Sequence, residues 1–286
     1  MITSLLMLSV FLSTLRNILS KNISDINFGT RVFFLIQTII FGTGGIFLAF
    51  TNAHSGRIKA SLLLCSVVYG ILLIIAQYCY TIALKSGKTG ICATVYSLGF
   101  IFPTLSGSVL WDEQISAWDI LGICIVIVMI IICGSGGKNT DEKTNKKYIF
   151  PLVMAMLASG GLGIAQKFQQ NSDFNGQNSI FLIIAFAFAC AVSFILYLIT
   201  PNGSTAKKFK KKFGVASFIG IAFAISNLCN TTLSGMLDSA ILFPALNIGT
   251  IILSVLFGIV IYKERITKSD ALILSLGIIS ICLLNI

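Results

Sequence analysis

The chain has 286 residues, of which 56% are hydrophobic and 10% charged, with a mean hydropathy of +0.95 and a formal net charge of +10. Soluble domains carry about 25% charged residues, so this composition excludes a soluble globular protein and predicts an all-α polytopic membrane protein, whose spanning helices satisfy their own backbone polar groups. The apolar segments are too long and uniform for an outer-membrane barrel, whose strands alternate over about ten residues.

Ten segments approach the roughly 20 apolar residues that a spanning helix needs. Residues 1–20 are assigned to the first span and not to a signal peptide, because the basic start is missing and Arg16 interrupts the place of a cleavage site. The polar linker 136–147 divides the chain into two halves, 1–135 and 148–286, of five spans each. In chain order the predicted spans are 2–19, 28–50, 60–84, 89–111, 117–135, 148–169, 178–199, 213–235, 240–262 and 269–285.

The two halves are related by an internal repeat. A shift of 151 positions lays residues 89–133 on 240–284, and the polar turn DEQIS then meets KERIT. In this register Gly107 meets Gly258 and Glu113 meets Glu264, which favours duplication over coincidence. Because five spans is an odd number, the second half enters the membrane from the opposite side. The sequence therefore predicts two inverted five-helix repeats with a substrate site near the midplane between them.

These pieces resemble the drug/metabolite transporter superfamily, in its ten-helix branch with two EamA-type domains. The matching residues are Ile82–Lys85 closing span three, Leu19–Lys21 closing span one, and the two helix–turn–helix units. The resemblance implies a secondary transporter of amino acids, other metabolites, drugs or nucleotide sugars. It assigns Glu113 and Glu264 a structural role in the turns, at the surface.

The resemblance and the charges disagree about orientation. Family members keep both termini in the cytoplasm, whereas sixteen lysines and arginines follow odd-numbered spans here and two follow even-numbered spans. By the positive-inside rule this distribution predicts that both termini lie outside. Anionic lipid headgroups beside these loops account for the net charge, so no nucleic-acid partner is expected.

Two charged residues are predicted inside spans, Arg16 and Lys167, and each could contact substrate, because an ionisable group at depth is costly and often functional. The alternative is that each side chain reaches back to the membrane surface. All ten acidic residues fall at helix ends or in connections. A proton-coupled exporter of cationic drugs needs an embedded carboxylate, and the sequence offers none.

Several uncharged polar residues inside the spans are also candidates for substrate binding, although an amide in a span can simply bond a neighbouring helix. The repeat places Tyr96 opposite Asn247, and Asn227 shares a helix face with Asn230. Pro103 and Pro244 interrupt spans four and nine and are candidate hinges, or sites of close packing. The full uncharged set is Asn17, Gln77, Tyr78, Tyr96, Gln166, Asn227, Asn230 and Asn247.

The leading functional prediction is a multi-pass transporter of the cell membrane that moves a small metabolite, such as an amino acid or another carboxylate, by alternating access. The alternative is an exporter of amphipathic or cationic drugs and quaternary amines, held by aromatic rings. An embedded enzyme or lipid-handling scaffold is a third class, for which clustered acids and histidines are missing; His54 lies in a polar connection. We expect no cofactor, no catalytic residue and no metal site; the partners are a small-molecule substrate and the lipid bilayer, and a homodimer is left open.

Overall fold

The computed structural model describes residues 1–24, 29–51, 58–86, 95–135, 148–201, 213–262 and 268–283. Within these ranges the chain is helical and contains no strand. The linker 136–147, His54 and the second turn with Glu264 lie outside the described residues. The predicted all-α class is therefore confirmed for the part of the chain that is described.

Within the described residues ten longer α-helices follow one another, and each overlaps one predicted span; residues 95–97 are also α-helical. A short 3-10 turn, Leu98–Phe100, precedes the fourth. The helices are α1 (Ile2–Ser24), α2 (Thr30–Thr51), α3 (Ala60–Ser86), α4 (Ile101–Trp111), α5 (Ala117–Ser135), α6 (Ile149–Gln170), α7 (Asn178–Ile199), α8 (Phe213–Leu233), α9 (Ser239–Tyr262) and α10 (Lys268–Leu283).

Six of these helices, α1, α2, α3, α6, α7 and α8, are long and apolar enough to cross a membrane. Three further apolar stretches are shorter: Val95–Trp111, Ala117–Ile132 and Ser239–Ser254. The first of these stretches is α-helical at residues 95–97, passes through the 3-10 turn Leu98–Phe100 and continues as α4, with Pro103 in the first turn of α4. A Pro is tolerated there because first-turn N–H groups have no partner within the helix.

The helices form two compact units, and each unit takes helices from both halves of the sequence. The first unit comprises Met1–Ile74 and Phe168–Leu233, and the second comprises Ile75–Lys167 and Ser234–Ile286. The predicted division into two repeats at the linker stays a prediction.

The first unit is centred on α2, which packs against both α7 and α8. A Cβ on Gly44 would lie 2.7 Å from the carbonyl oxygen of Gly220 and 2.8 Å from the ring of Phe186. Only a glycine therefore lets α2 and α8 approach so closely. Next to this crossing, the rings of Phe41, Phe186 and Phe223 form a cluster with centroids 5.5 to 6.3 Å apart.

The second unit pairs α4 with α9 and α5 with α10. The hydroxyl of Ser280 in α10 donates to the carbonyl oxygen of Gly122 in α5, at 2.9 Å. The start of α4 lies against α6, where a Cβ on Gly163 would lie 2.7 Å from the Pro103 ring. Pro244 lies inside α9, which continues through it. A hinge role for either proline stays a prediction.

Hydroxyl side chains occur along the apolar helices because they can bond within their own helix. Thr14, Thr38, Ser66 and Thr104 each donate to the carbonyl oxygen four residues earlier, at 2.8 to 2.9 Å. This satisfies the hydroxyl without a second helix. Polar residues that instead bond between helices therefore stand out as candidates for a site.

Candidate functional site

A line of polar side chains joins α1 to α8 in the first unit. Ser9, Ser13 and Arg16 are spaced i, i+4, i+7 and so lie on one face of α1. The hydroxyl of Ser9 donates to the Asn230 amide oxygen, and that of Ser13 donates to the Ser226 hydroxyl at 3.4 Å. We call this set of side chains the polar seam. It comprises Ser9, Ser13 and Arg16 of α1, Tyr69 of α3, and Ser226, Asn227 and Asn230 of α8.

Tyr69 closes the seam from α3. Its phenol is 1% exposed and donates to the Asn227 amide oxygen at 2.6 Å. The Asn227 amide in turn donates to the Phe223 carbonyl oxygen at 2.7 Å. Both polar groups of this amide are thereby bonded, as a buried amide requires. The seam is thus an ordered network inside apolar helices.

Arg16 lies at one end of the seam. Its guanidinium carbon is 4.5 Å from the centroid of the Phe223 ring, and one N–H donates to the Asn17 amide oxygen at 3.3 Å. An aromatic ring attracts a cation through its quadrupole. Both of these contacts are with neutral groups.

A second cluster, in the second unit, is a buried ion pair. Lys167 near the end of α6 pairs with Glu113, and the two side chains are only 7% and 9% exposed. The Lys167 ammonium also donates to the Leu237 carbonyl oxygen at 3.0 Å. The Glu113 carboxylate accepts the backbone N–H of Ser239, the first residue of α9, at 2.8 Å. One carboxylate thus links the α4–α5 connection to α6 and to α9.

The local backbone aims Glu113 at this position. Asp112 ends α4 in the left-handed conformation with φ 53°, and its N–H donates to the Gly107 carbonyl oxygen. The N–H of Glu113 bonds the same oxygen at 3.2 Å. A Cβ on Gly107 would collide with the Glu113 carboxylate and with the side chain of Ser239. The glycine therefore leaves the space that the carboxylate occupies.

These contacts correct two sequence-based expectations. Glu113 was expected at the surface, but its carboxylate is buried, because the turn directs it inward onto Lys167 and the start of α9. One interpretation of Lys167 was that its side chain reaches the membrane surface. The side chain instead points to Glu113, and the residue is 5% exposed. The prediction that no acid lies inside a span is not contradicted, since Glu113 lies in the connection 112–116 between α4 and α5.

The other predicted site residues belong to neither the polar seam nor the ion pair. Tyr96 stacks on Tyr80, with ring centroids 4.6 Å apart. The Asn247 amide donates to the Phe243 carbonyl oxygen one turn earlier, at 3.0 Å. Among the remaining candidates, Asn17 is exposed, Gln166 is buried, and Gln77 and Tyr78 are partly buried.

The structure therefore brings together Arg16, Asn227 and Asn230 in the seam, and Lys167 with Glu113 in the ion pair. Sequence reasoning missed Tyr69 and the serines of the seam. The serines carried a usable signal, since Ser9, Ser13 and Arg16 have helical spacing. Tyr69 carried none, because one tyrosine in an apolar helix does not identify its partner.

Comparison with known proteins identifies a similar fold but assigns no activity. No family model matches the chain. An uncharacterized protein of Haemophilus influenzae is 25% identical over 173 residues, which are 60% of this chain and 57% of that protein. The match thus spans less than two thirds of this relative's length. A protein of known crystal structure superposes with a TM-score of 0.77 at 14% identity, covering 99% of this chain and 95% of the other. At this identity the similarity shows a shared fold alone.

Proposed function

We propose that the protein is a secondary transporter of the cell membrane, and that it moves a small metabolite bearing a carboxylate. The observation that carries this proposal is the polar seam with a guanidinium at its end. Polar networks inside apolar helices are expensive, and they commonly mark a substrate pathway. A guanidinium suits a carboxylate because it can donate two parallel hydrogen bonds.

The ten-helix inverted repeat belongs to the same proposal. Three packed pairs, α2 with α7, α4 with α9 and α5 with α10, each join a helix to the fifth helix after it. An inverted duplication of five helices accounts for this pattern, because equivalent helices meet across a two-fold axis. Arg16 and Lys167 are also 151 positions apart, the same shift that aligns the two turns. Membership of the drug/metabolite transporter superfamily would explain both features.

The buried carboxylate does not by itself favour the export of cations. Glu113 is paired with Lys167, and the two charges cancel. A cation site needs uncompensated negative charge. Arg16 instead contributes positive charge in the seam, which favours an anionic or zwitterionic substrate over a quaternary amine.

The test is transport by Arg16 variants in proteoliposomes. A thermal-shift screen against amino acids, other carboxylates and quaternary amines first selects the substrates. We expect Arg16→Gln to reduce transport of a carboxylate substrate about ten- to a hundredfold, since charge-assisted hydrogen bonds contribute roughly 1.5–3 kcal/mol. Arg16→Lys should recover part of the rate. Arg31→Gln is the matched control, because Arg31 makes a similar ring contact with Tyr197, at 4.7 Å, outside the seam.

Two outcomes would contradict the proposal. Unchanged transport by Arg16→Gln would make the residue a membrane anchor. Stabilisation by quaternary amines alone, together with their transport by the Arg16→Gln variant, would support the drug-exporter alternative. A loss in both the Arg16 and Arg31 variants would indicate a general effect of lost charge.

A further inference from the structure

The buried ion pair has the chemistry of a carboxylate receptor. Its donors are the ammonium of Lys167 and the N–H of Ser239 at the start of α9. The N-terminus of a helix attracts anions, because its first N–H groups lack partners within the helix and the helix dipole is positive there. A cation beside such an N-terminus makes a site for a negatively charged oxygen. Glu113 occupies this site from within the chain.

Ser239 supplies a further polar group that Glu113 leaves unused. The residue is fully buried, and its hydroxyl oxygen has no hydrogen-bond partner. That oxygen would lie 2.8 Å from a Cβ on Gly107, and the same Cβ would collide with the Glu113 carboxylate. The hydroxyl therefore borders the space in which the carboxylate lies. A buried hydroxyl is normally satisfied, so a ligand of slightly different shape could accept this donor.

Glu113 differs from a side chain fixed in a helix because the polar connection 112–116 carries it. The connection begins at the left-handed Asp112. The Glu113 carboxylate enters the site through the space left by Gly107. The same spacing, a glycine followed six residues later by a glutamate, recurs as Gly258 and Glu264. Both residues recur under the same shift of 151 positions. This recurrence is explained if the glycine and the glutamate act together to place a carboxylate.

We propose that this cluster is an exchangeable carboxylate-binding site. Glu113 is its tethered ligand, and a small free carboxylate takes the same place when Glu113 is absent or withdrawn. Tethering gives Glu113 a high effective concentration, at or above the millimolar range. Free carboxylates therefore do not compete in the wild-type protein at ordinary concentrations. The proposal is independent of any transported substrate.

The test vacates the site and refills it. Glu113→Ala is purified as the full chain, and its thermal unfolding is followed during titration with sodium acetate, against sodium chloride at equal ionic strength. Acetate should restore at least half of the lost midpoint temperature, with half-saturation at roughly 1 to 100 mM, as expected for a ligand of four heavy atoms. Acetamide, which has the same shape without the charge, should restore none. Adding Lys167→Gln should weaken the acetate response at least tenfold.

Other results would overturn the proposal. Equal recovery with acetate and acetamide would indicate cavity filling without carboxylate recognition. An undiminished acetate response in the Glu113→Ala/Lys167→Gln protein would place acetate elsewhere. If Glu113→Ala does not fold, Glu113→Ser, whose short side chain also vacates the site, replaces it in the test. That variant should gain stability from acetate while the wild-type protein gains none; equal behaviour of the two would reject the exchange.

Discussion

Lys167 is the residue whose replacement gives the sharpest test of the buried ion pair. In Lys167→Met the Glu113 carboxylate remains buried, and of its described partners only the Ser239 N–H, at 2.8 Å, is left. Breaking a buried pair by removing one partner costs about 3–5 kcal/mol. Because this N–H still stabilises the carboxylate, we expect the lower end, about 3 kcal/mol of unfolding free energy.

The reverse single variant and the double variant complete a cycle. Glu113→Gln leaves the Lys167 ammonium bonded to the Leu237 carbonyl oxygen, so we expect a loss of about 2 kcal/mol. Lys167→Met/Glu113→Gln buries no charge and should also lose about 2 kcal/mol, which gives a coupling of about 3 kcal/mol. The surface pair Lys59 and Asp173 is the control, since these side chains are 54% and 92% exposed. Lys59→Met should lose about 0.5 kcal/mol or less.

The chain provides a local probe for this measurement. Its only two tryptophans, Trp111 and Trp118, flank the connection that carries Glu113. Unfolding by sodium dodecyl sulfate in mixed micelles can therefore be followed by tryptophan fluorescence near the pair and by circular dichroism for all helices. If Lys167→Met unfolds like the wild-type protein, or if the losses of the two single variants simply add in the double variant, the two residues are not energetically coupled and the reasoning fails.

Three further predictions concern other parts of the chain. Tyr69→Phe removes the donor to a buried amide and should lower the unfolding free energy by about 1–3 kcal/mol in the same assay; no change would mean that the seam is not a stabilising network. Gly44→Ala places a methyl group 2.7 Å from a carbonyl oxygen and should lose about 1–3 kcal/mol, whereas Gly42→Ala, 3.4 Å from a thiol, should be close to neutral; equal losses would reject the crossing as the cause. On sidedness, single cysteines at Ser204 and Ser55 in a cysteine-free background should give external labelling at the second position only, and the opposite pattern would support the orientation usual in the family.

The helices could be predicted because the property that defines them is local. Runs of apolar residues near bilayer length determine where a helix can form, and α7 and α5 begin and end at the predicted residues. The 3-10 turn Leu98–Phe100 was harder to anticipate: a Cβ on Gly99 within it would lie 2.7 Å from the Met156 carbonyl oxygen of α6, and this contact between helices is not visible in the local sequence.

The pairing of polar residues could be predicted only in part. Arg16 and Lys167 were identifiable because charge inside an apolar segment is rare. The partner of Lys167 was not identifiable, since Glu113 precedes Lys167 by 54 residues and lies in a polar turn whose sequence predicts exposure. Its burial follows from the left-handed Asp112 and the space above Gly107, which are features of the folded turn. The interhelical bonds of the seam likewise depend on which face of α8 meets α1.

The seam also sets the order in which the first unit can be completed during synthesis. Phe223 follows Arg16 by 207 residues, which at about 5–20 residues per second is a delay of about 10 to 40 s. During that interval α1 is already made, but the face of α8 that accepts its serines and covers its guanidinium does not yet exist. The helix must therefore persist with these groups turned to other surroundings, such as lipid, water or the insertion machinery. A ribosome that stalls before α8 leaves a nascent chain whose first helix lacks the α8 contacts of Ser9, Ser13 and Arg16, a feature by which an incomplete molecule differs from a finished one.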